Sequence, residues 1–236
     1  MWNGKKVGAI IPAAGQGTRM GGARAKQFLD LNGKPVLIHS TERFQISLEI
    51  DVIILVAAED ARPEIEALVD LHHLTKVAGV VIGGKERQDS VWNGLQTMAQ
   101  EEPHIVLVHD AVRPLVSGEI IRNVCAAAWE FGAAVPGVTP TDTIKQIDGD
   151  KAVLSTLQRS GLRMIQTPQG FTIDLLLKAY TKATRERFYG TDDASLVERM
   201  GVKIMVVEGS YENIKITTPE DLKFAGFMLK ETAINH

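Results

Sequence analysis

Short runs of β-branched and other apolar residues recur along the chain at residues 7–11, 52–57, 77–82, 105–108 and 133–135. Each run is nearly continuous rather than alternating, the pattern of a strand covered on both faces in a parallel sheet. Between them, residues 36–44, 63–71, 87–98 and 119–131 place apolar side chains at helical spacing. Ser117 stands where the last of these helices needs an N-cap, and Gly132 where it needs a C-cap. Strand and helix in regular succession predict a Rossmann-like α/β fold, a mostly parallel sheet with helices on both faces.

The rhythm breaks after Pro136. Residues 137–162 are polar and turn-rich, with Pro140, an Asp148-Gly149 pair and the short alternating stretch 143–147. That composition predicts a β-hairpin arm projecting from the body, with an ordinary surface excursion as the competing reading. Regular patterning resumes with a helix at 173–185, a strand at 202–207 and a closing helix at 219–230. No linker-like stretch divides the 236 residues, so a single domain is expected over 1–236, arm included.

Composition narrows the function by exclusion. With 44% hydrophobic and 23% charged residues, the chain belongs with globular rather than disordered proteins. Its net charge of −3 offers no general attraction to nucleic acid or to an anionic membrane surface. Any phosphate it handles must therefore be met by locally placed Lys and Arg. The lone cysteine, Cys125, excludes a disulfide framework and a cysteine-based zinc site, and reads as a small buried hydrophobe. Lys5 and Lys6 before the apolar run at 7–11 mimic a secretory signal, but the run is short and ends at Pro12. No apolar stretch has membrane-spanning length, so a reducing, cytoplasmic location is expected.

Candidate chemistry gathers where the apolar runs end. The first is followed by Pro12-Ala13-Ala14-Gly15-Gln16-Gly17-Thr18-Arg19-Met20. Open α/β sheets bind ligands at the carboxyl ends of their strands, and glycines there let backbone N–H groups reach phosphate oxygens. Met20 stands where a dinucleotide fingerprint needs a small residue, and the Gly-Lys-Ser/Thr of a Walker loop is missing. A structural turn and a phosphate cradle both suit the glycines alone. Arg19 and Lys26 favour the cradle, because a guanidinium fork and an ammonium point charge together suit a triphosphate.

The fourth run leads into His109-Asp110-Ala111-Val112-Arg113-Pro114. Asp110 lies where a carboxylate could hold a hard cation against phosphates, or could serve only the next turn. His109 has no second histidine at ligand spacing, which favours a structural role, and Arg113 is a further candidate anion site. The loop from Gly83 to Ser90 could press backbone groups against a base, while Glu86 and Asp89 read as acids at a helix start. Lys215 falls in an alternating run that reads as a strand, facing either solvent or a phosphate.

Eight segments in order resemble one family: PAAGQGTRM (12–20), AKQF (25–28), GGKERQDSV (83–91), LVHDAVRP (107–114), DTIK (142–145), QTPQ (166–169), GTDDAS (190–195) and NIKITTPEDL (213–222). The ordered set is similar to the 2-C-methyl-D-erythritol 4-phosphate cytidylyltransferases of the non-mevalonate isoprenoid pathway, over nearly the whole chain. The resemblance implies that Ala13, Ala14, Gly84 and Ser90 line the cytosine and ribose site of CTP, with Gly15 and Gly17 beside the phosphates. It implies that Arg19, Lys26 and Lys215 grip the triphosphate and the charge developing at the α-phosphorus, with Asp110 helping to hold magnesium. Arg113, Thr143, Arg159, Thr167 and Lys215 would surround the methylerythritol phosphate. It further implies a homodimer in which the arm crosses to the neighbouring subunit's site, taking Thr143 and Arg159 with it. Lys85 departs from members that carry an acid near the base, which leaves that contact to the backbone.

The implied chemistry has a physical rationale. A phosphate monoester, with a second pKa of about 6, is already an anionic nucleophile near neutral pH. A general base is unnecessary, in keeping with the lack of a convincing His–carboxylate or Ser–His pairing in the sequence. Two rival readings remain at this level, a ribitol-5-phosphate cytidylyltransferase on the same fold and a nucleotide-binding regulator without catalysis. An NAD-dependent oxidoreductase fails on Met20 and on the missing acid about twenty residues after the loop.

Overall fold

The computed structural model describes residues 1–15 and 24–234, apart from the side chains of 232–234. Strand β1 (Val7–Pro12) leads to a 3-10 turn at Lys26–Phe28, the two-residue strands β2 (Asp30–Leu31) and β3 (Lys34–Pro35), and helix α1 (Val36–Ile46). Then come β4 (Val52–Ala57), α2 (Arg62–Leu71), β5 (Val77–Ile82), α3 (Arg87–Ala99), β6 (Ile105–Val108), α4 (Gly118–Phe131) and β7 (Ala133–Val138). The arm carries β8 (Lys145–Ile147) and β9 (Val153–Thr156). After it follow β10 (Met164–Ile165), β11 (Gln169–Thr172), α5 (Ile173–Glu186), α6 (Asp193–Glu198), β12 (Met205–Glu208) and α7 (Pro219–Ile234).

The main sheet runs β5-β4-β1-β6-β11-β7, with β10 and β12 also paired to β7. β5, β4, β1 and β6 are mutually parallel, and β12 is parallel to β7. β11 is antiparallel to both β6 and β7, and β10 is antiparallel to β7. The sheet is therefore mostly parallel, as expected, but the run at 133–135 belongs to a longer strand that β11 separates from β6.

Successive side chains of a strand point to opposite faces, so each continuous apolar run feeds two cores. Val7, Ala9 and Ile11 of β1 and Ile53, Leu55 and Ala57 of β4 pack with Leu37 and Phe44 of α1, Ile65 of α2 and Val124 of α4. Ile10, Ile54, Val56 and Val106 face the other way, onto Val91 and Leu95 of α3, Leu176 and Tyr180 of α5 and Leu196 of α6. Each fully buried Val, Leu or Ile in these layers contributes about 1.5–3 kcal/mol relative to exposure. A third, smaller cluster seats α7 on the β2–β3 hairpin through Leu31, Val36, Ile216 and Ala225.

Two end signals of α4 hold as expected: the Ser117 hydroxyl accepts from the Ile120 N–H, and Gly132 closes the helix at φ 86°. Three expectations change. Residues 77–82 form the edge strand of the sheet among the described residues, and of them only Val80 is buried. The strand foreseen at 202–207 starts only at Met205 and is another edge. Lys215 is not in a strand: residues 214–217 have no regular secondary structure and are tied to the body by the Ile216 N–H donating to Val112 O at 2.8 Å. The arm's β8 and β9 make their own two-stranded antiparallel sheet, exposed at every residue. Among the described residues no helix is long and apolar enough to cross a membrane.

Candidate active site

The carboxyl ends of β1, β5 and β6 open into one cleft. Ala13, Ala14 and Gly15 line it from the first loop, Gly84 and Ser90 from the second, Asp110 and Ala111 from the third, with Lys26 and Lys215 completing the wall. Loops at the strand ends of a parallel sheet converge this way because all the strands point in one direction.

Each loop is held by specific bonds. The side chain of Gln27, itself buried, donates to the carbonyls of Ala13 at 2.6 Å and Gly15 at 3.0 Å. That clamp sets the first loop and places the adjacent Lys26 beside it. In the second loop, the Gly84 N–H donates to Ser90 Oγ at 3.1 Å, while the Ser90 hydroxyl donates to Glu86 O at 3.1 Å. A Cβ on Gly83 would lie 2.6 Å from the Ala14 Cβ, so glycine there is what allows two loops to meet. Glu86 and Asp89 form a reciprocal capping box on α3, which bears out the helix-start reading of these acids.

Asp110 is the electrostatic centre of the site. Lys215 Nζ lies 2.8 Å from Oδ2, Arg87 Nε donates to Oδ1 at 3.3 Å, and Arg113 Nε stands 3.8 Å from Oδ2. Burial pushes the Asp110 carboxyl up, but Arg87, Lys215 and Arg113 outweigh burial and hold it well below the usual carboxylate range. Its backbone N–H donates to Thr167 Oγ1 at 3.1 Å. His109 is fully buried and held down to about 4 by burial, so it is neutral. Its Nε2 donates to Arg113 O at 3.1 Å, which leaves Nδ1 to accept from the Thr167 hydroxyl at 3.1 Å. The structural reading of His109 stands. Arg113 donates to Asn213 O at 2.6 Å, just before the Lys215 segment. Among the described residues no group of three or more His, Cys, Asp or Glu could cage a metal ion.

The sequence model of IspD, the 2-C-methyl-D-erythritol 4-phosphate cytidylyltransferases, matches residues 7–231. The chain belongs to this family. The enzyme of that name from Bacillus cytotoxicus is 48% identical over 216 residues, 92% of this chain and 94% of the relative. The one from Symbiobacterium thermophilum is 47% identical over 227 residues, 96% of this chain and 94% of its own length. Among solved structures, 4-diphosphocytidyl-2C-methyl-D-erythritol synthase from Anaerococcus prevotii superposes with a TM-score of 0.85 at 33% identity, covering 97% of each chain. The Thermus thermophilus cytidylyltransferase gives 0.76 at 33% identity, covering 95% of this chain and 99% of that one.

Of the positions singled out by likeness to the cytidylyltransferases, the structure brings Ala13, Ala14, Gly15, Lys26, Gly84, Ser90, Asp110 and Lys215 to one cleft. Arg113 and Thr167 adjoin it through Asp110. Thr143 and Arg159 do not reach it. Both are exposed, and the Arg159 guanidinium donates instead to the Thr141 carbonyl. Gly17 and Arg19 lie outside the described residues. Sequence reasoning misses Gln27, Arg87 and Asp193. Arg87 is hidden between the capping acids Glu86 and Asp89, and Asp193 lies within the GTDDAS segment, beside Asp192, which caps the short helix α6. Arg87 binds Asp193 at 2.8 Å across 106 residues of chain, a pairing that local spacing cannot reveal.

Proposed function

We propose that this chain transfers a cytidylyl group from CTP to 2-C-methyl-D-erythritol 4-phosphate, giving 4-diphosphocytidyl-2-C-methyl-D-erythritol and pyrophosphate. The observation that carries this reading is the convergence of Lys26 and Lys215 with the Gly84–Ser90 loop in one cleft, in a chain of this family. The acceptor's phosphate oxygen attacks the α-phosphorus of CTP. A new P–O bond forms there as the bond to the oxygen bridging the β-phosphorus breaks, and that electron pair leaves with pyrophosphate.

The protein's part is to place two polyanions in line and to meet the charge that builds on the α-phosphate. Lys26, next to the clamped loop, faces the triphosphate. Lys215, in the cleft wall and 2.8 Å from Asp110, serves both substrates. Ser90, Gly84, Ala13 and Ala14 frame the nucleoside, Gly15 adjoins the phosphates, and Arg113 and Thr167 receive the acceptor.

Magnesium fits this arrangement as an ion that arrives with the nucleotide. Asp110 supplies a single hard carboxylate, and such an ion takes its other ligands from phosphates and water. Asp110 would be the residue that holds it, beside Lys215. When bound, the ion supplies positive charge against the triphosphate.

The working form in this reading is a homodimer with exchanged arms, so that Thr143 and Arg159 complete the partner's acceptor site. Exposed apolar residues on the arm, Ile147, Val153 and Leu154, support it. A reducing cytoplasm suits the chain, whose one cysteine is a buried thiol pushed up to about 12.

Pyrophosphate release with magnesium, crossing CTP, UTP and ATP against methylerythritol phosphate and ribitol 5-phosphate, tests the reading. Release with CTP and methylerythritol phosphate alone is the expected result. Release with ribitol phosphate instead would move the enzyme to another pathway, and silence from folded protein would favour a nucleotide-binding regulator.

A further inference from the structure

A polar chain runs inward from Arg87, which lines the cleft and is partly exposed, to carboxylates buried on either side of it. Arg87, the first residue of α3, touches two carboxylates: its Nε donates to Asp110 Oδ1 at 3.3 Å and its terminal NH2 group to Asp193 Oδ2 at 2.8 Å. Asp193, the first residue of α6, has no exposed surface, and its second oxygen accepts the hydroxyl of Tyr180, buried in α5. Asp193 does not line the cleft and has no surface open to it. Yet three ion pairs in series, Asp193–Arg87, Arg87–Asp110 and Asp110–Lys215, join it to the lysine in the cleft wall.

The start of α6 is held in place from several sides. Gln169 of β11 donates to Asp192 Oδ2 at 2.7 Å and accepts from the Ala194 N–H at 2.9 Å. Gln88 of α3 donates to Phe188 O at 2.9 Å and accepts from the Gly190 N–H at 2.9 Å. Asp193 is thus delivered to Arg87 by a segment braced on both α3 and β11.

With Asp193 wholly buried and Arg87 34% exposed, the pair is a weak source of stability, because withdrawing the carboxylate from water offsets the attraction. What such a pair does fix is geometry. A guanidinium has a rigid fork, and holding one arm on Asp193 sets where the other arm meets Asp110. Asp110 then has Arg87 on one oxygen and Lys215 on the other. If Asp193 lost its charge, Arg87 would turn wholly to Asp110 and compete with Lys215 for it.

We infer that Asp193 is a positioning residue for the transfer reaction, acting through Arg87 and Asp110 to hold Lys215 where the reacting phosphates will lie. The inference rests on the cytidylyl-transfer reading. The two fail differently: an inactive wild-type enzyme would sink the reading, whereas an active wild type with an indifferent Asp193 variant would sink this inference alone.

The test is a double-mutant cycle of Asp193→Asn with Lys215→Ala, read as kcat and both KM values on protein whose folded fraction is measured by denaturant titration. In the wild-type background Asp193→Asn lowers kcat roughly 10- to 100-fold, the scale of an ångström-level misplacement, with KM for CTP little changed. In the Lys215→Ala background the same change costs less than about threefold, because the residue it positions is gone. Tyr180→Phe removes a bond to Asp193 but leaves Arg87 paired, so it lowers stability while kcat stays within about threefold of wild type. Equal losses in both backgrounds, or a loss of stability with kcat intact, would overturn the assignment. Should Asp193→Asn not be recovered folded, Arg87→Lys reads the same link: one ammonium cannot bridge two carboxylates as the fork does, and its loss must also vanish when Lys215 is absent.

Discussion

A cation assists phosphoryl transfer only when its place is fixed before the charge develops. Lys26 is fixed by its neighbour. Gln27 is buried, and its amide spans the carbonyls of Ala13 and Gly15, so the 3-10 turn that bears Lys26 is tied to the first loop of the cleft. Lys26 itself is only half-buried and contributes little to the core. Function and stability therefore separate at this position. Lys26→Ala is expected to lower kcat roughly 10²- to 10³-fold, the cost of removing one preorganised donor from a developing charge. The midpoint of denaturant unfolding should stay within the range usual for surface changes, about 0.5 kcal/mol. Turnover near the wild-type level would remove Lys26 from the reaction, and a large loss of stability would make it structural.

At the scale of elements, α3 is pressed against the sheet at Gly94. A Cβ there would lie 2.8 Å from Val56 Cγ2 and 2.9 Å from Ile10 Cγ2, both β-branched residues of central strands with little freedom to yield. Gly94→Val should cost about 1–3 kcal/mol or more by overpacking, despite leaving every polar group in place. Because α3 begins at Arg87, raising the helix also disturbs the cleft, so KM for CTP should rise with the fall in stability. An unchanged unfolding midpoint would show that α3 can shift freely. This element also shows what sequence could and could not tell. β1, β4 and β6 were legible because strands buried on both faces are apolar at nearly every position. β11 was not, since Gln169–Thr172 contains one large apolar residue, Phe171, and its antiparallel insertion between β6 and β7 depends on pairing alone. The Lys215 segment alternates like a strand because Ile216 is buried against α7, not because it joins the sheet. Asp110 could be picked out at a strand end and Lys26 beyond a glycine-rich loop, while Lys215, in a run that reads as a strand, was singled out by the resemblance of its NIKITTPEDL segment. Arg87 and Asp193 could not, since their meaning lies in a contact between distant parts of the chain.

At the scale of the whole molecule, the arm is hard to explain in a single copy. An isolated two-stranded hairpin is marginally stable in water. This one also exposes Ile147 at 53%, Val153 at 60% and Leu154 at 60%, while Thr143 and Arg159 sit beside it, away from the cleft they are expected to serve. A second copy of the chain resolves both facts if each arm lies over the other's body, a self-complementary contact of the kind closed dimers use. The decisive arrangement pairs two defective chains, one with Lys26→Ala and one with Arg159→Ala. Lys26 would serve the site of its own subunit and Arg159 that of the partner, so a mixed dimer would hold one site with both lesions and one with neither. Random assortment makes half of all dimers mixed, and co-refolding the two inactive chains should restore about a quarter of wild-type turnover. If the arm served its own subunit, every site would keep one lesion and no activity would return. If Arg159→Ala alone were fully active, the arm would hold the dimer without entering the reaction.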